Sequence, residues 1–410
     1  MRLLFWLSAA GIGYVYVGYP ALLAAWATWR PRPIRGSPDP TAVPPRVSII
    51  VAARNEARRL PARIENLLAL DYPSDRRQII VVSDGSTDDT LEVLSQYGGV
   101  VTALAAPPGG KAAALNLGVA HATGEILIFA DARQMFAPQA LGALVAPLAD
   151  PAIGGVTGEL LLDGEASGVA GRRGGVPRRR ASGDRRTRTD RGAGRRQGLD
   201  RRDRQASTIA DGVGLYWRYE KQLRRLESTV GSTLGATGAI YALRRSLYRP
   251  LPGNTILDDV LAPMRAVLEG YRVVFNEQAI AFDATAADAD AEHRRKVRTL
   301  AGNVQILGQE PRLLLPVVNP VWLQYASHKL GRLIVPYALL SLFAANLALA
   351  GQHLFYALTL TAQCALYLLG GYGAWLESQA TRRRRASEPA PGASGRLGGS
   401  SVLVARMENP

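Results

Sequence analysis

The chain has 410 residues, 47% of them hydrophobic, enough for one sizeable core with appended segments. Its single cysteine, Cys364, lies in an apolar run, which excludes an intrachain disulfide. The net charge of +15 is concentrated: residues 171–206 hold fourteen arginines against four aspartates, a net of +10. The remainder is only mildly basic, which argues against a nucleic acid as partner.

Residues 3–26 form an apolar stretch long enough to cross a bilayer. The stretch exceeds a signal-peptide core, and Trp29-Arg30-Pro31-Arg32 follows it in place of a small-residue cleavage site, so an uncleaved membrane helix is predicted. Residues 27–45 are proline-rich and read as an extended linker.

Strands and helices then alternate. "RVSIIVAA" (46–53) reads as a strand, and 56–70 as a helix with Leu60, Ile64, Leu67 and Leu68 on one face. A strand is expected over 78–84, a helix over 87–94 and a third strand over 99–106. A helix over 110–122 and a strand over 125–131 follow. This order predicts an α/β domain, residues 46–305, on a mostly parallel sheet with helices on both faces. Ligands of such sheets bind beyond the carboxyl ends of the strands, where Asp84 and Asp131 fall. No G-x-G-x-x-G follows the first strand, which disfavours a dinucleotide-binding oxidoreductase.

Residues 171–206 contain no aromatic residue and almost no large aliphatic one, so they are expected to form a disordered insertion. An anionic-lipid or RNA contact is the functional alternative for that stretch. After it, "GLYWRYEKQLRRLES" reads as a helix, either at a membrane surface or ordinarily amphipathic. Residues 311–326, broken by three prolines, are expected to be interfacial. Residues 333–350 and 354–376 are two further membrane helices, and 377–410 a basic, disordered tail. Arg30, Arg32 and Arg35 follow the first helix and Arg382 to Arg385 the last, whereas Gly351-Gln352-His353 carries no basic residue. This bias predicts a multi-pass protein of the cell (inner) membrane with its central domain and tail cytosolic and the last two helices paired as a hairpin. The Ala-, Arg- and Gly-rich composition suggests a bacterial source.

The candidate chemistry lies in five stretches. In "VVSDGSTDDT", Ser86 or Thr87 is expected to cap a helix with Asp88 and Asp89 in its first turn, and Gly85 turns Asp84 toward a cleft. Lys111 opens a helix after Pro107-Pro108-Gly109-Gly110, a place suited to a phosphate. Asp131 ends a strand, with Arg133 two residues on. Asp258-Asp259 precedes a helical run, where the pair could favour the helix start or supply a general base.

"VSIIVAARNEARRL", "VVSDGSTDDT", "GGKAAALNLGVAHATGEILIFADA", "GATGAIYALRR" and "ILDDV", in this order and at these intervals, resemble the family-2 glycosyltransferases of the GT-A fold. The likeness is strongest to their membrane-bound branch of polysaccharide and glycolipid synthases. It covers about 46–165 and 207–305. It implies an inverting transferase moving a sugar from a nucleotide-sugar, commonly a UDP-sugar, to a hydroxyl of a saccharide or lipid-linked acceptor. By the same resemblance, Asp84 contacts the base, Glu56 lies in the first nucleotide-contacting loop, and Lys111 lies near the sugar-nucleotide. Asp131 would be the first acid of D-x-D, binding Mg²⁺ or Mn²⁺, with Arg133 in place of the second acid. Gly235, Thr237 and Gly238 fall on the acceptor-side loop. Asp259 is the base, and Asp258 replaces the usual glutamate beside it. Arg298 takes the arginine place of Q-x-x-R-W, with Arg295 and Thr299 in place of Gln and Trp. The cluster 294–298 also suits membrane lipid. An inactive relative acting as a membrane scaffold is the alternative function.

Overall fold

The computed structural model describes residues 1–36, 43–162, 217–283 and 289–387. The elements along the chain are α1 (Arg2–Trp29), β1 (Val47–Ala53), α2 (Leu60–Leu68), β2 (Arg77–Asp84), α3 (Thr90–Ser95) and β3 (Thr102–Ala106). Then come α4 (Lys111–Ala120), β4 (Ile126–Asp131), β5 (Met135–Phe136), α5 (Ala140–Val145) and β6 (Ile153–Leu162). The second part holds α6 (217–230), β7 (Ile240–Arg244), α7 (Asp258–Leu268), β8 (Arg272–Asp283) and α8 (Ala289–Gln309). Two long helices, α9 (Trp322–Leu349) and α10 (Leu354–Ser387), follow.

One eight-stranded sheet runs in the order β3-β2-β1-β4-β7-β6-β8-β5. The expected parallel ladder is present from β3 to β4. Beyond β4 the sheet is mixed: β7 is antiparallel to both β4 and β6, and β6 is parallel to β8. The mixed half is the part that the strand–helix alternation did not predict.

The central strands are apolar through their middles because both faces are covered. Ile49, Val51, Val81 and Ile128 point to one face, where Leu60, Ile64 and Leu67 of α2 and Leu141 and Leu144 of α5 cover them. Ile50, Val82, Leu127 and Phe129 point to the other, under Ala112 and Leu115 of α4 and Leu261 and Ala262 of α7. Alternate side chains of a strand face opposite ways, so each strand residue commits to one of two cores. All of these elements belong to one compact unit, Met1–Thr285 with Lys296–Ala345; a second comprises Ala286–Arg295 with Asn346–Pro410.

Several boundaries differ from the sequence reading: the helix expected over 56–70 spans Leu60–Leu68, and the strand expected over 99–106 spans Thr102–Ala106. α3 starts at Thr90, not at residue 87, and neither Ser86 nor Thr87 caps it. Asp88 Oδ1 accepts the Thr90 backbone N–H at 3.1 Å, while Ser86 Oγ accepts the Asn55 N–H at 3.1 Å. The polar run therefore ties the β2 loop to the β1 loop. Residues 322–326 belong to α9, and the 311–326 segment is helical at both ends. Between those ends, Leu315, Val317 and Val318 are exposed. The basic residues after 376 continue α10 to Ser387. The 171–206 insertion, linker residues 37–42 and tail residues 388–410 lie outside the described residues. Helices α1, α9 and the Leu354–Leu376 part of α10 are each long and apolar enough to cross a membrane.

Candidate active site

The register fixes where the site forms. Ala52 pairs with Asp131, Asp84 with Ala106, and Ala130 with Ile240. The carboxyl ends of β1, β2, β3 and β4 and the amino end of antiparallel β7 therefore share one edge. The loops leaving that edge carry nearly every residue singled out from the sequence. A cavity of about 1000 Å³ is lined by residues such as Pro45, Gly124 and Arg244 at the opposite edge and contains none of them.

Asp84 is held by the loop that leads into α4. Its Oδ1 accepts the backbone N–H of Gly109 at 2.7 Å, and Oδ2 that of Gly110 at 3.0 Å. Gly85, at φ +60°, makes this closure possible: a Cβ there would stand 2.6 Å from Pro108 Cγ. Asp84 is buried by this arrangement, with its carboxylate shaping the 107–110 loop rather than standing free. Glu56 lies in the loop after β1, its carboxylate 2.8 Å from Arg59 Nη1.

Lys111, the first residue of α4, joins the two acid stretches. Its ammonium lies 3.0 Å from Asp131 Oδ1 and 3.3 Å from Asp258 Oδ2. Burial lowers its pKa, but Asp258 and Asp131 outweigh burial and hold it above the ordinary lysine value. The lysine thus joins a strand-end carboxylate to one placed far along the chain by the first turn of α7.

Asp258 and Asp259 separate in role. Asp258 is buried at the start of α7, with its Oδ2 against Lys111. Asp259 is partly exposed, and a Cβ added to Gly238 would stand 2.8 Å from its Oδ2. Only a glycine lets the 235–238 loop come so close. The loop is pinned from below: Ala236 N–H donates to the Asp259 carbonyl at 2.7 Å. Burial, and then the neighbouring Asp258, push the Asp259 carboxyl up to about 6, while Lys111 and Lys329 pull it back.

Thr237 is fully engaged in holding the loop. Its N–H donates to Thr157 Oγ1 at 2.8 Å, its hydroxyl donates to the Gly158 carbonyl at 3.0 Å, and that hydroxyl accepts from Arg224 Nη1 at 2.7 Å. Gly235, at φ +132°, lets the chain turn against Val260. The Arg298 guanidinium reaches the same region, donating to the backbone carbonyl of Ile256, two residues before Asp258, at 3.4 Å.

Arg133 goes elsewhere. Its guanidinium pairs with Asp283 at 2.7 Å, and Gln134 Nε2 donates to the same oxygen at 3.0 Å. The arginine that replaces the second acid is therefore neutralised by the carboxyl end of β8.

Among the described residues no group of three His, Cys, Asp or Glu side chains is placed to hold a metal. Asp131 offers a strand-end carboxylate, about a third exposed, at the open edge. One carboxylate suits a hard cation only when substrate phosphates and water complete its oxygen shell.

Two neighbours of Asp131 escaped the sequence reading. Arg63 of α2 is completely buried under the Phe136 ring, 4.2 Å from guanidinium to centroid. Burial brings it down to about 9, and Asp131 acts to raise it. The Tyr241 hydroxyl is buried with no hydrogen-bond partner among the described residues, in the field of Asp258, Asp259 and Asp131, and burial holds it well above the ordinary tyrosine value. Both lie on apolar-patterned faces, where the sequence pattern signals core.

Residues 48–223 match the family model described as glycosyl transferase family 2. Over 135 residues the chain is 34% identical to a beta-monoglucosyldiacylglycerol synthase of Synechocystis sp., covering 31% of this chain and 28% of that protein. A dolichyl-phosphate beta-glucosyltransferase of Trichomonas vaginalis is 37% identical over 98 residues, 21% of this chain and 29% of that one. The chain thus spans under a third of the length of these relatives. Among solved structures, the mannosyltransferase PcManGT from Pyrobaculum calidifontis, in complex with GDP-Man and Mn²⁺, is similar with a TM-score of 0.63 and 23% identity. That likeness covers 92% of this chain and 96% of that one, and shows a shared fold.

Proposed function

With residues 48–223 belonging to glycosyl transferase family 2, on a GT-A fold, we propose an inverting transfer of a hexosyl-type sugar from a nucleotide-sugar to a hydroxyl of a lipid or lipid-linked saccharide. The observation that carries this reading is the convergence of Asp131, Lys111, Asp258 and Asp259 on one open sheet edge.

Each group has a distinct task. The leaving nucleoside diphosphate gains negative charge as the glycosidic bond breaks, and Lys111 is positioned to balance it. Asp131 would hold a divalent cation, which supplies further neutralisation of that diphosphate when bound. Asp258, buried against Lys111, keeps the ammonium aimed at the edge. Asp259 takes the proton of the acceptor hydroxyl. A pKa near 6 leaves it mostly ionised at neutral pH yet basic enough to accept that proton. Attack with no protein nucleophile inverts the anomeric carbon. Gly238 leaves space beside Asp259, on the side where an acceptor would enter.

The acceptor assignment rests on the apolar helices α1, α9 and α10 and on the glycolipid-synthase and dolichyl-phosphate relatives. The test is incubation of detergent-purified protein with UDP- and GDP-sugars and either membrane lipid or soluble saccharides, followed by NMR of the product. An inverted anomer on lipid supports the reading. Retention of configuration, or no transfer from any donor, overturns it and favours an inactive scaffold.

A further inference from the structure

Helix α6 carries ionic side chains that meet both α1 and the first turns of α9. The Tyr19 hydroxyl of α1 donates to Glu227 Oε1 at 2.9 Å, and His328 Nδ1 of α9 lies 2.7 Å from the same oxygen. His328 Nε2 is 3.5 Å from Glu220 Oε2, and Arg332 pairs with Glu220 as well. Lys221 meets Glu159 at 2.5 Å, and Arg224 donates to Thr237. Every one of these groups has a partner.

Lys329 differs. It lies half-buried next to His328, in the π-helical turn Tyr325–Leu330 of α9. Among the described residues no hydrogen bond or ion pair closes on its ammonium. A charged group inside a helix apolar enough to cross a membrane is costly unless a counter-charge or function accounts for it. Wide π-type turns within α-helices also recur at functional positions.

The packing of this turn sets the lysine's stretch of α9 against the helix of Asp259. Val321 and Tyr325 are buried in one apolar cluster with Leu234, Val260 and Met264, and Leu330 packs against it. Val260 directly follows Asp259, and Leu234 directly precedes the Gly235 loop. The charged groups acting on Asp259 are Asp258 from its own helix, Lys111 from α4, Asp131 from β4 and Lys329 from α9. Of the two lysines, Lys111 is already engaged by Asp131 and Asp258. Among the carboxylates acting on Lys329, Asp259 has the largest effect, ahead of Glu227 and Glu220.

We propose that Lys329 is a positioning residue for the transfer: α9 carries into the site the ammonium that serves as counter-charge to Asp259 and keeps that base ionised at neutral pH. The inference rests on the reading of Asp259 as base. It makes the competence of the base depend on a residue of an apolar helix, so the seating of α9 and the chemistry are linked.

The test is the pH dependence of kcat/KM, from pH 5 to 9, for the full chain in detergent. The variants are Lys329→Met, Lys329→Arg and Asp259→Asn. Loss of the ammonium should move the acid limb of the Lys329→Met profile upward by about one pH unit. The rate deficit is then about tenfold at pH 5, roughly fivefold near pH 6, and shrinks as pH rises further, while Lys329→Arg keeps the limb in place. Lys329→Gln repeats the measurement should the methionine variant misfold. An unmoved limb overturns the proposal, whether the rate falls equally at every pH, as for a structural role, or only the acceptor KM rises, as for an acceptor contact. If Asp259→Asn remains active, the base assignment fails and the proposal with it. If Asp259→Asn is inert and the limb is unmoved, the proposal alone fails.

Discussion

Asp258 and Asp259 are adjacent in sequence, and the first turn of α7 gives them opposite surroundings. Asp258 is buried against Lys111, whereas Asp259 faces the glycine of the 235–238 loop. Asp259→Asn should abolish transfer, by at least a hundredfold, with an unchanged circular dichroism spectrum. The acid limb of the wild-type rate should fall near pH 6, where Asp259 protonates. Stability moves the opposite way. The folded-state pKa is raised from 3.8 to about 6, so the fold favours the protonated form, and ionisation through that window works against it. Asp259→Asn should therefore raise the Tm at pH 8 more than at pH 4, which calorimetry at the two pH values can check. Gly238→Ala would place a methyl group 2.8 Å from Asp259 Oδ2. It should cut kcat tenfold or more while leaving the Tm within a few degrees. The acids were legible in the sequence as strand-end and helix-start residues. Their meeting through Lys111 was not, because periodicity says nothing about which distant elements converge. Arg133 was legible as the residue standing in place of the second acid, but its partner, Asp283, was not, since it ends a strand with no motif to mark it.

At the scale of elements, the strands were readable where both faces are buried. β1, β2 and β4 are built around short apolar runs, and their observed bounds differ from the expected ones by one residue. α3 was placed three residues too early, because Ser86, Thr87 and Asp88 look like caps. They instead bond to Asn55, Thr90 and Ala57, joining two loops that border the site. The mixed half of the sheet was hidden by its short antiparallel pairs, such as the two-residue β5 against β8. Gly85→Ala tests the loop architecture directly. At φ +60° and with Pro108 Cγ 2.6 Å from the new Cβ, the 107–110 loop must shift and loosen its bonds to Asp84. The expected outcome is about 1–3 kcal/mol of destabilisation in urea melts, with a raised donor KM.

For the whole molecule, the three apolar helices were legible by length alone. Their ends were not, since α9 begins upstream of the expected 333 and α10 continues into basic sequence. The arginines after α1 and within the last turns of α10, against none around Gln352 and His353, are the basis for proposing a cytosolic central domain, an orientation that labelling tests. With Cys364→Ala as background, a cysteine at His353 should react with a membrane-impermeant maleimide in intact cells, and one at Arg245 only after lysis. Labelling of Arg245→Cys in intact cells would reverse the orientation.

The measurement that bears most directly on the account is nucleoside-diphosphate release by the purified full chain. It is made with each sugar nucleotide in turn, membrane lipid present and Mg²⁺, Mn²⁺ or EDTA added, for the wild type, Asp131→Ala and Asp259→Asn. The account predicts release from one donor, dependent on the cation and lost in both variants. Release that persists in Asp259→Asn, or in EDTA with Asp131→Ala, would contradict the assignment of base and cation to this sheet edge.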